Sequence, residues 1–202
     1  MRVRLSANSG FCWGVKRAFD TVLNALRAGG TVHTLGPLVH NENAIRMLEK
    51  RGLRTCTEIS EIQSGTVVVR AHGMRPDLEQ ELLARGLRVV NATCPHVRRI
   101  QQRVENAAGE GRHVCIVGYR DHPEVVALVA RAGEACNVIA DVDDAATVPM
   151  KVPVFLTAQS TFNESLFERI RDAVTRDRND VIVFDSICRS TSTPHGPTST
   201  ES

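Results

Sequence analysis

The chain has 202 residues, of which 42% are hydrophobic and 24% charged, as in an ordinary soluble globular protein with room for one large or two small α/β domains. The net charge of +2 indicates neither a nucleic-acid nor an anionic-membrane partner. No stretch approaches the roughly 18 apolar residues of a membrane helix, and the N-terminus lacks the apolar core of a signal peptide. We therefore expect a cytoplasmic protein whose six cysteines stay reduced.

Short β-branched runs alternate with helical periods along the first half of the chain. Helices are predicted at residues 15–28, 41–51, 76–85 and 96–108, and strands at residues 31–35, 66–70 and 87–91. Gly29, Gly52 and Gly86 each follow a predicted helix, as glycine does at helix C-termini. The alternation is typical of βα units in a mainly parallel sheet.

A second, similar set of elements follows. Strands are predicted at residues 113–117, 138–139, 152–156 and 181–184, and helices at residues 123–132 and 164–176. The repetition predicts two similar small parallel-sheet α/β domains, residues 1–96 and 97–188. Residues 189–202 contain eight Ser or Thr and no large apolar side chain, so we expect a tail that is disordered or read out of frame.

Potentially reactive side chains follow nearly every predicted strand. In chain order they are Cys12 ahead of the first helix, His40, His72, Cys94, His122 with Glu124, Gln159 with Ser160, and Cys188. In open parallel sheets, ligands bind outside the carboxyl ends of the strands, where the N-termini of the following helices favour anions. The pattern therefore predicts one crevice with metal-binding capacity and a preference for a negatively charged ligand.

The six cysteines fall into two groups. Three are expected to be ordinary core residues, because free cysteine is among the most buried residue types: Cys56, Cys115 and Cys136. Cys12, Cys94 and Cys188 lie at strand-to-turn junctions, a position that leaves structural and functional roles equally open.

The spacing of the junction cysteines excludes a compact metal motif. The chain has no Cys-x-x-Cys pair, and the separations between residues 12, 94 and 188 are too long for a zinc finger or a ferredoxin run. A [4Fe–4S] cluster held by three cysteines would leave one iron free to bind a substrate oxygen. From the residues alone, a structural zinc or no metal at all remain alternatives.

Seven short segments occur in an order that resembles a known family. They are residues 11–15 (FCWGV), 36–41 (GPLVHN), 70–73 (RAHG), 91–95 (NATCP), 122–125 (HPEV), 158–161 (AQST) and 184–188 (FDSIC). Together they resemble the 4-hydroxy-3-methylbut-2-enyl diphosphate reductases of the methylerythritol phosphate pathway. The resemblance implies three similar α/β domains around a central [4Fe–4S] cluster. It also implies reductive removal of the substrate C4 hydroxyl, giving isopentenyl and dimethylallyl diphosphate, with electrons from a ferredoxin or flavodoxin.

The resemblance also implies roles for nine residues. These are Cys12, Cys94 and Cys188 as cluster ligands, His40, His72 and His122 around the diphosphate, Ser160 beside the substrate hydroxyl with Gln159 before it, and Glu124 as the acid that relays a proton to that hydroxyl. No nucleic acid or membrane is implied as a partner.

The resemblance stops after Cys188, whereas family members continue into a third domain. Two interpretations follow. Either the chain is a piece of a working reductase, with residues 189–202 read after a frameshift or at a chain end. Or it is a shortened relative without turnover that binds a diphosphate or a metal.

Overall fold

The computed structural model describes residues 10–190. Of the predicted tail, residues 189–202, positions 191–202 lie outside the described residues. Within residues 10–190 two four-stranded parallel sheets form an α/β architecture, which confirms the predicted fold class. The first half contains α1 (Trp13–Arg27), β1 (Val32–Leu35), α2 (Glu42–Glu49), β2 (Leu53–Cys56), β3 (Thr66–Val69), α3 (Pro76–Ala84) and β4 (Arg88–Asn91). The second contains α4 (Pro95–Gly109), β5 (His113–Val117), α5 (Pro123–Ala132), β6 (Cys136–Ile139), β7 (Val154–Ala158), α6 (Glu164–Thr175) and β8 (Val181–Phe184). Short 3₁₀ helices lie at Ile59–Glu61 and Val142–Thr147.

Both sheets have the same strand order, β2-β1-β3-β4 and β6-β5-β7-β8. The chain steps outward from β1 to β2 on one side of the sheet, then crosses back to β3 and continues to β4 on the other side. The winding direction therefore reverses between β1 and β3, and equally between β5 and β7. At such a reversal, the loops that leave the two carboxyl ends diverge and leave a crevice, which is where open α/β sheets bind ligands.

Helices cover both faces of each sheet. In the first half, α1 and α2 pack on one face through Val22 and Leu48, and α3 packs on the other through Leu82. In the second half, α6 covers one face through Phe167 and Ile170, and α4 and α5 cover the other. Burial from both sides explains why β3 and β7 are buried at every position, as is usual for parallel strands. No helix within residues 10–190 is long and apolar enough to cross a bilayer.

β2 and β7 differ from the sequence prediction for local physical reasons, and β6 begins two residues earlier than predicted. The sequence does not predict β2, because it is an edge strand buried only at its two ends, Leu53 and Cys56, and it lacks an apolar run. β7 begins at Val154, two residues later than predicted. Pro153 has no N–H to donate to a strand ladder, so regular pairing starts after it. The shift places Gln159 directly after the last residue of β7.

α4 joins the two halves. It begins directly after Cys94, yet its apolar side packs on the second sheet, where Ile100 and Val104 share a cluster with Ile116. A second link runs from α5 to the segment before α3, because Arg131 Nη1 donates to the Met74 carbonyl at 2.7 Å. We propose, in line with this packing, that the first domain ends at residue 96 and the second covers residues 97–188.

Arg178 fastens the segment before β7 to the segment before β8. Its guanidinium donates to the carbonyls of Pro149 and Val152, each at 2.7 Å, and pairs with Asp180 at 2.9 Å. We expect Arg178→Ala to lower the free energy of unfolding by about 1–3 kcal/mol, because two backbone carbonyls lose a charged donor. The control Arg171→Ala removes an exposed ion pair in α6 and should change it by less than about 0.5 kcal/mol. Urea denaturation of both variants measures the difference, and equal losses would contradict the role given to Arg178.

Candidate functional site

Three histidines meet where the two halves of the protein face each other. His40 follows β1, His72 follows β3, and His122 immediately precedes α5. The ring centroids are 4.5 Å apart for His40 and His72, 5.5 Å for His40 and His122, and 5.4 Å for His72 and His122. The structure thus brings together three residues that the sequence places at three separate strand ends. We call this group the histidine cluster.

The backbone of two turns holds His40 and His72 in place. The Ala71 N–H donates to the Leu38 carbonyl at 3.3 Å, which ties the turn after β3 to the turn after β1. Gly36 begins the first turn with φ +75°, and Gly73 ends the second with φ +85°. Both values lie in the left-handed region that glycine adopts without strain.

Burial favours the uncharged form of two of the three histidines, His72 and His122. Desolvation, assisted by the charges of His40, His122 and Arg70, lowers the pKa of His72 to about 3. Burial also lowers the pKa of His122, with smaller contributions from His40 and Arg70. His72 Nδ1 is buried and has no hydrogen-bond partner in the described part of the chain. His72 and His122 therefore offer neutral imidazole nitrogens to a ligand, and Nδ1 of His72 is unsatisfied.

Glu124 lies in the first turn of α5 and is completely buried. Both of its carboxylate oxygens contact Ser160, which follows β7. Oε1 accepts from the Ser160 N–H at 2.7 Å, and Oε2 lies 2.7 Å from Ser160 Oγ. Burial raises the pKa of Glu124, although the hydrogen bonds from Ser160 and the nearby His96 oppose the rise. A carboxyl in this setting can keep a proton at a pH where an exposed glutamate has lost it.

Gln159 is buried beside Ser160, but its amide is already engaged. Oε1 accepts from the Tyr119 N–H at 3.3 Å, and Nε2 donates to Thr161 Oγ1 at 2.9 Å. The Gln159 Cβ and Oε1 also lie against Gly118, where an added Cβ would come within 3.0 Å of the glutamine Cβ. The amide braces the loop between β5 and α5, and direct contact of Gln159 with a substrate stays a prediction.

Cys12 and Cys94 lie close to each other although 82 positions separate them. Each occupies the residue before a helix, α1 and α4, and neither side chain caps its helix. A Cβ added at Gly14 would lie 2.6 Å from Cys94 Sγ and 4.0 Å from Cys12 Sγ. The partial positive charge of a helix N-terminus stabilises a thiolate. The two sulfurs therefore lie close together beside two helix N-termini, and glycine at position 14 leaves the space that they occupy.

Cys188 is held beside Ser160 and the start of α4. Its N–H donates to the Ser160 carbonyl at 2.7 Å, and its Sγ lies 3.0 Å from Ser190 Oγ. His96 Nε2 lies 2.7 Å from the Ser186 carbonyl, which joins the segment that carries Cys94 to the segment that carries Cys188. Cys188 is thus tied to Ser160, the residue that contacts Glu124. Through His96, its segment is also tied to the segment that carries Cys94.

Nearly the whole chain matches a known protein family. A family model described as "LytB protein" matches residues 3–196. The chain belongs to the LytB family. The seven motifs that gave the resemblance lie within the matched residues.

Curated relatives of this LytB-family chain are named 4-hydroxy-3-methylbut-2-enyl diphosphate reductase. The relative from Geotalea uraniireducens is 35% identical over 95% of this chain and 68% of its own length. The relative from Alkaliphilus oremlandii is 32% identical over 95% of this chain and 69% of its own length. The chain thus spans about two thirds of the length of these relatives.

Two solved structures agree with the fold. One is the structure of an (E)-4-hydroxy-3-methyl-but-2-enyl diphosphate reductase, described as the terminal enzyme of the non-mevalonate pathway. It is 32% identical, has a TM-score of 0.84, and is matched over 94% of this chain and 69% of its own. The corresponding reductase from Plasmodium falciparum is 24% identical, with a TM-score of 0.86 over 92% of this chain and 60% of its own. At that identity the second match shows the shared fold alone.

The other three cysteines of this LytB-family chain have different surroundings. Cys115 is completely buried in β5, and burial raises the pKa of its thiol to about 12. Burial likewise raises the pKa of Cys136 to about 11. Cys56 is buried with its Sγ 3.5 Å from His33 Nδ1. Cys56 and Cys115 are the core residues that the sequence predicts, while Cys136 is only partly buried.

Three residues that shape the site are not predicted from the sequence. Arg70 occurs in one of the seven segments, yet only the structure reveals it as a largely buried cation beside the histidines. Ser186 is completely buried, and its Oγ lies 2.8 Å from the Ala158 N and 2.6 Å from the Ala158 O, which anchors the segment before Cys188 to β7. His96 contacts that same segment. The sequence signal that could have found Ser186 and His96 is a polar residue two positions from a junction cysteine.

Burial gives His72 and Glu124 opposite effects on the pH dependence of stability. The pKa of His72 falls from 6.5 to about 3 on folding, so between these values the unfolded chain binds the extra proton and stability falls as pH drops. The pKa of Glu124 rises from 4.5, so the folded chain keeps a proton that the unfolded chain loses, and stability falls as pH rises. We expect His72→Gln to flatten the rise of unfolding free energy from pH 4.5 to pH 6.5, and Glu124→Gln to steepen it. Urea denaturation across this window measures the slopes, and changes of the same sign would contradict the assignment.

Proposed function

We propose that this chain carries the site of 4-hydroxy-3-methylbut-2-enyl diphosphate reductase, which reductively removes the C4 hydroxyl and forms isopentenyl and dimethylallyl diphosphate. The names of the relatives support the proposal, and so does the chemistry of the crevice. The observation that carries it is a completely buried Glu124, held by Ser160 two residues after His122 of the histidine cluster. A proton donor and an anion site next to free thiols suit a diphosphate that must lose a hydroxyl.

The thiols of Cys12, Cys94 and Cys188 would hold a [4Fe–4S] cluster. The fit rests on the two sulfurs that face Gly14, on the helix N-termini behind them, and on the attachment of Cys188 to Ser160. When bound, the cluster supplies electrons and one iron whose open position polarises the substrate hydroxyl as a Lewis acid. All three cysteines are free and partly accessible, as ligands for an incoming cluster need to be.

The histidine cluster would bind the diphosphate. His40, His72 and His122 each offer a ring nitrogen, and the N-termini of α2 and α5 begin within two residues of His40 and His122. Helix N-termini favour anions through their unpaired N–H groups and the helix dipole. These contacts fix the diphosphate at one end of the crevice and leave the hydroxyl end toward Ser160 and the cysteines.

Glu124 would provide the proton that turns the leaving hydroxide into water. Hydroxide is a poor leaving group until it is protonated, and a positioned acid typically contributes about 10²- to 10⁴-fold. Across the 2.7 Å contact between Glu124 Oε2 and Ser160 Oγ, a protonated Glu124 would give its proton to the serine hydroxyl while that hydroxyl gives its own hydrogen to the substrate. Ser160 would thus pass the proton from the buried carboxyl to the substrate, while Gln159 holds the loop in place.

The test of the proposal is turnover by anaerobically reconstituted protein. The purified chain, loaded with iron and sulfide, receives the hydroxylated diphosphate and a low-potential reductant, and the two diphosphate products are measured. In the cell, a small cytoplasmic ferredoxin or flavodoxin would supply the electrons. Tight binding of substrate without product would instead favour the alternative of a diphosphate- or metal-binding relative that has no turnover.

Glu124→Gln tests the acid directly. Glutamine keeps the shape and the hydrogen bond from the Ser160 N–H but cannot release a proton, so we expect turnover to fall about 10²- to 10⁴-fold. Iron content and substrate affinity should stay near those of the parent. Glu134→Gln, at an exposed turn, is the matched control and should leave turnover unchanged. Near-normal turnover of Glu124→Gln would remove Glu124 from the mechanism.

Cysteine replacement tests the ligand set without relying on activity. We expect Cys94→Ser to lose most of the iron, the acid-labile sulfide and the brown absorbance of the reconstituted protein. Cys115→Ser, at a buried strand position, is the control and should retain all three. The measurement is iron and sulfide per chain after anaerobic reconstitution. Equal cluster content in the two variants would exclude Cys94 as a ligand.

A further inference from the structure

The histidine cluster alone does not explain how the site would balance the charge of a diphosphate. Because burial lowers the pKa of His72 and His122, these rings carry no charge near neutral pH in the unliganded protein. A diphosphate ester carries several negative charges, and moving such an anion out of water is costly without a cation nearby. A permanent positive charge is therefore the missing component of the site.

Arg70 is the cation that the fold places beside the cluster, close enough for its charge to lower the pKa of His72 and His122. It lies two residues before His72, in the turn that follows β3. Its guanidinium packs on Gly36, where an added Cβ would come within 2.5 Å of Arg70 Nη1. Gly36 begins the turn that ends in His40, and this turn is tied to the Arg70 turn by the hydrogen bond between Ala71 and Leu38. The guanidinium therefore lies between the two turns that carry the first two histidines.

Arg70 has no counter-ion in the described part of the chain. Within residues 10–190 no carboxylate pairs with Arg70, and its guanidinium donates no hydrogen bond. Burial is the one cause that shifts its pKa, and it lowers that pKa. It lines a cleft whose other walls are mostly apolar, including Leu35, Leu78 and Val126. The one further cation of this cleft, Arg75, is already paired with a carboxylate at 2.6 Å. A largely buried, unpaired guanidinium lowers the stability of the fold, and a bound anion would reverse that loss.

We infer that Arg70 is an anion-binding residue of the crevice, which pairs with the diphosphate group held by the histidine cluster. The inference rests on the proposed function for the identity of the organic ligand, but its chemistry concerns the diphosphate alone. A planar guanidinium suits two phosphoryl oxygens better than an ammonium does, because it donates two parallel hydrogen bonds. Arg70 thus supplies the charge, and the three histidines supply the shape of the site.

The histidine cluster on its own also has the geometry of a divalent metal site. One ring nitrogen from each histidine lies within 4.8 Å of the others, and neutral imidazole is a ligand for zinc. The adjacent guanidinium argues against a metal site, because a second, fixed positive charge repels a dication in a poorly solvated crevice. An anion site should bind inorganic diphosphate and not Zn²⁺, whereas a metal site should show the opposite preference.

The experiment compares Arg70→Met with Arg75→Met in the anaerobically reconstituted protein. Calorimetric titration with inorganic diphosphate gives the Kd, and orthophosphate provides a second anion that should bind more weakly. We expect Arg70→Met to weaken diphosphate binding roughly 10- to 100-fold, as the loss of a charge-assisted hydrogen bond does. Arg75→Met removes a cation of the same cleft that is already paired, and should change the Kd less than about twofold. Unchanged diphosphate affinity in Arg70→Met would overturn the inference.

The melting temperature of the ligand-free protein separates a ligand-binding arginine from a structural one. We expect Arg70→Met to melt at the same temperature as the parent or above it, because the substitution removes an unpaired buried charge. Saturating diphosphate should then raise the melting temperature of the parent more than that of the variant. A clear fall in the ligand-free melting temperature would show a structural role and overturn the inference. If Arg70→Met does not fold, Arg70→Lys takes its place, with a severalfold weaker Kd expected and an unchanged Kd counting against the inference.

Two further outcomes separate this inference from the proposed function. If the parent binds diphosphate and Arg70→Met does not, while neither turns over substrate, the inference stands and the proposed function fails. If both proteins turn over substrate with equal KM, the inference fails and the proposed function stands. Micromolar Zn²⁺ binding that disappears in His72→Asn, together with no diphosphate binding by the parent, would overturn the inference in favour of a metal site.

Discussion

The reversal of strand order in each sheet is the constraint on which the site depends. In both units the chain changes winding direction between the first and third strands, β1 and β3 or β5 and β7. His40 and His72 follow the first pair, and the loops after the second pair carry His122, Glu124 and Ser160. Loops at such a reversal diverge, so their side chains face a crevice rather than a packed layer. The same reversal of strand order occurs in both sheets, and the loops at the two reversals face each other. This arrangement accounts for the position of the histidine cluster and of the buried carboxyl.

The contacts between segments that are distant in sequence give this crevice its chemical character. Glu124 loses all contact with solvent because Ser160, delivered by β7, covers both of its oxygens. The segment before Cys188 is fixed to β7 by Ser186, and His96 ties it to the start of α4, directly after Cys94. The segments that carry Glu124, Cys94 and Cys188 are thus joined through a few short hydrogen bonds.

The sequence predicts the parts of this arrangement that depend on local pattern. Alternating apolar runs locate most helices and strands, and the carboxyl ends of parallel strands identify the histidines and Glu124 as neighbours. The sequence does not predict properties that depend on what packs around a residue. The close approach of two sulfurs at Gly14 requires α1 and α4 to begin side by side. The lack of a counter-ion for Arg70 within residues 10–190 is not predicted either, because a cation in a sequence gives no sign of which carboxylates will be near it. The edge strand β2 is not predicted for a related reason, since two of its four residues are not buried and give no apolar pattern.

The groups that lack partners are concentrated where a ligand would bind. Of the three buried side-chain atoms without a hydrogen-bond partner in residues 10–190, two are His72 Nδ1 and Gln101 Nε2, and the second contacts Gly73, the neighbour of His72. The unpaired guanidinium of Arg70 lies in the same turn. Each such group lowers the stability of the unliganded fold, since a buried polar atom without a partner costs about 1–3 kcal/mol. A protein keeps such groups where they serve another purpose. His72 Nδ1 and the Arg70 guanidinium belong to the turn after β3, and Gln101 Nε2 packs against it from α4. This concentration argues that the turn is shaped for an anionic partner rather than for the folded chain alone.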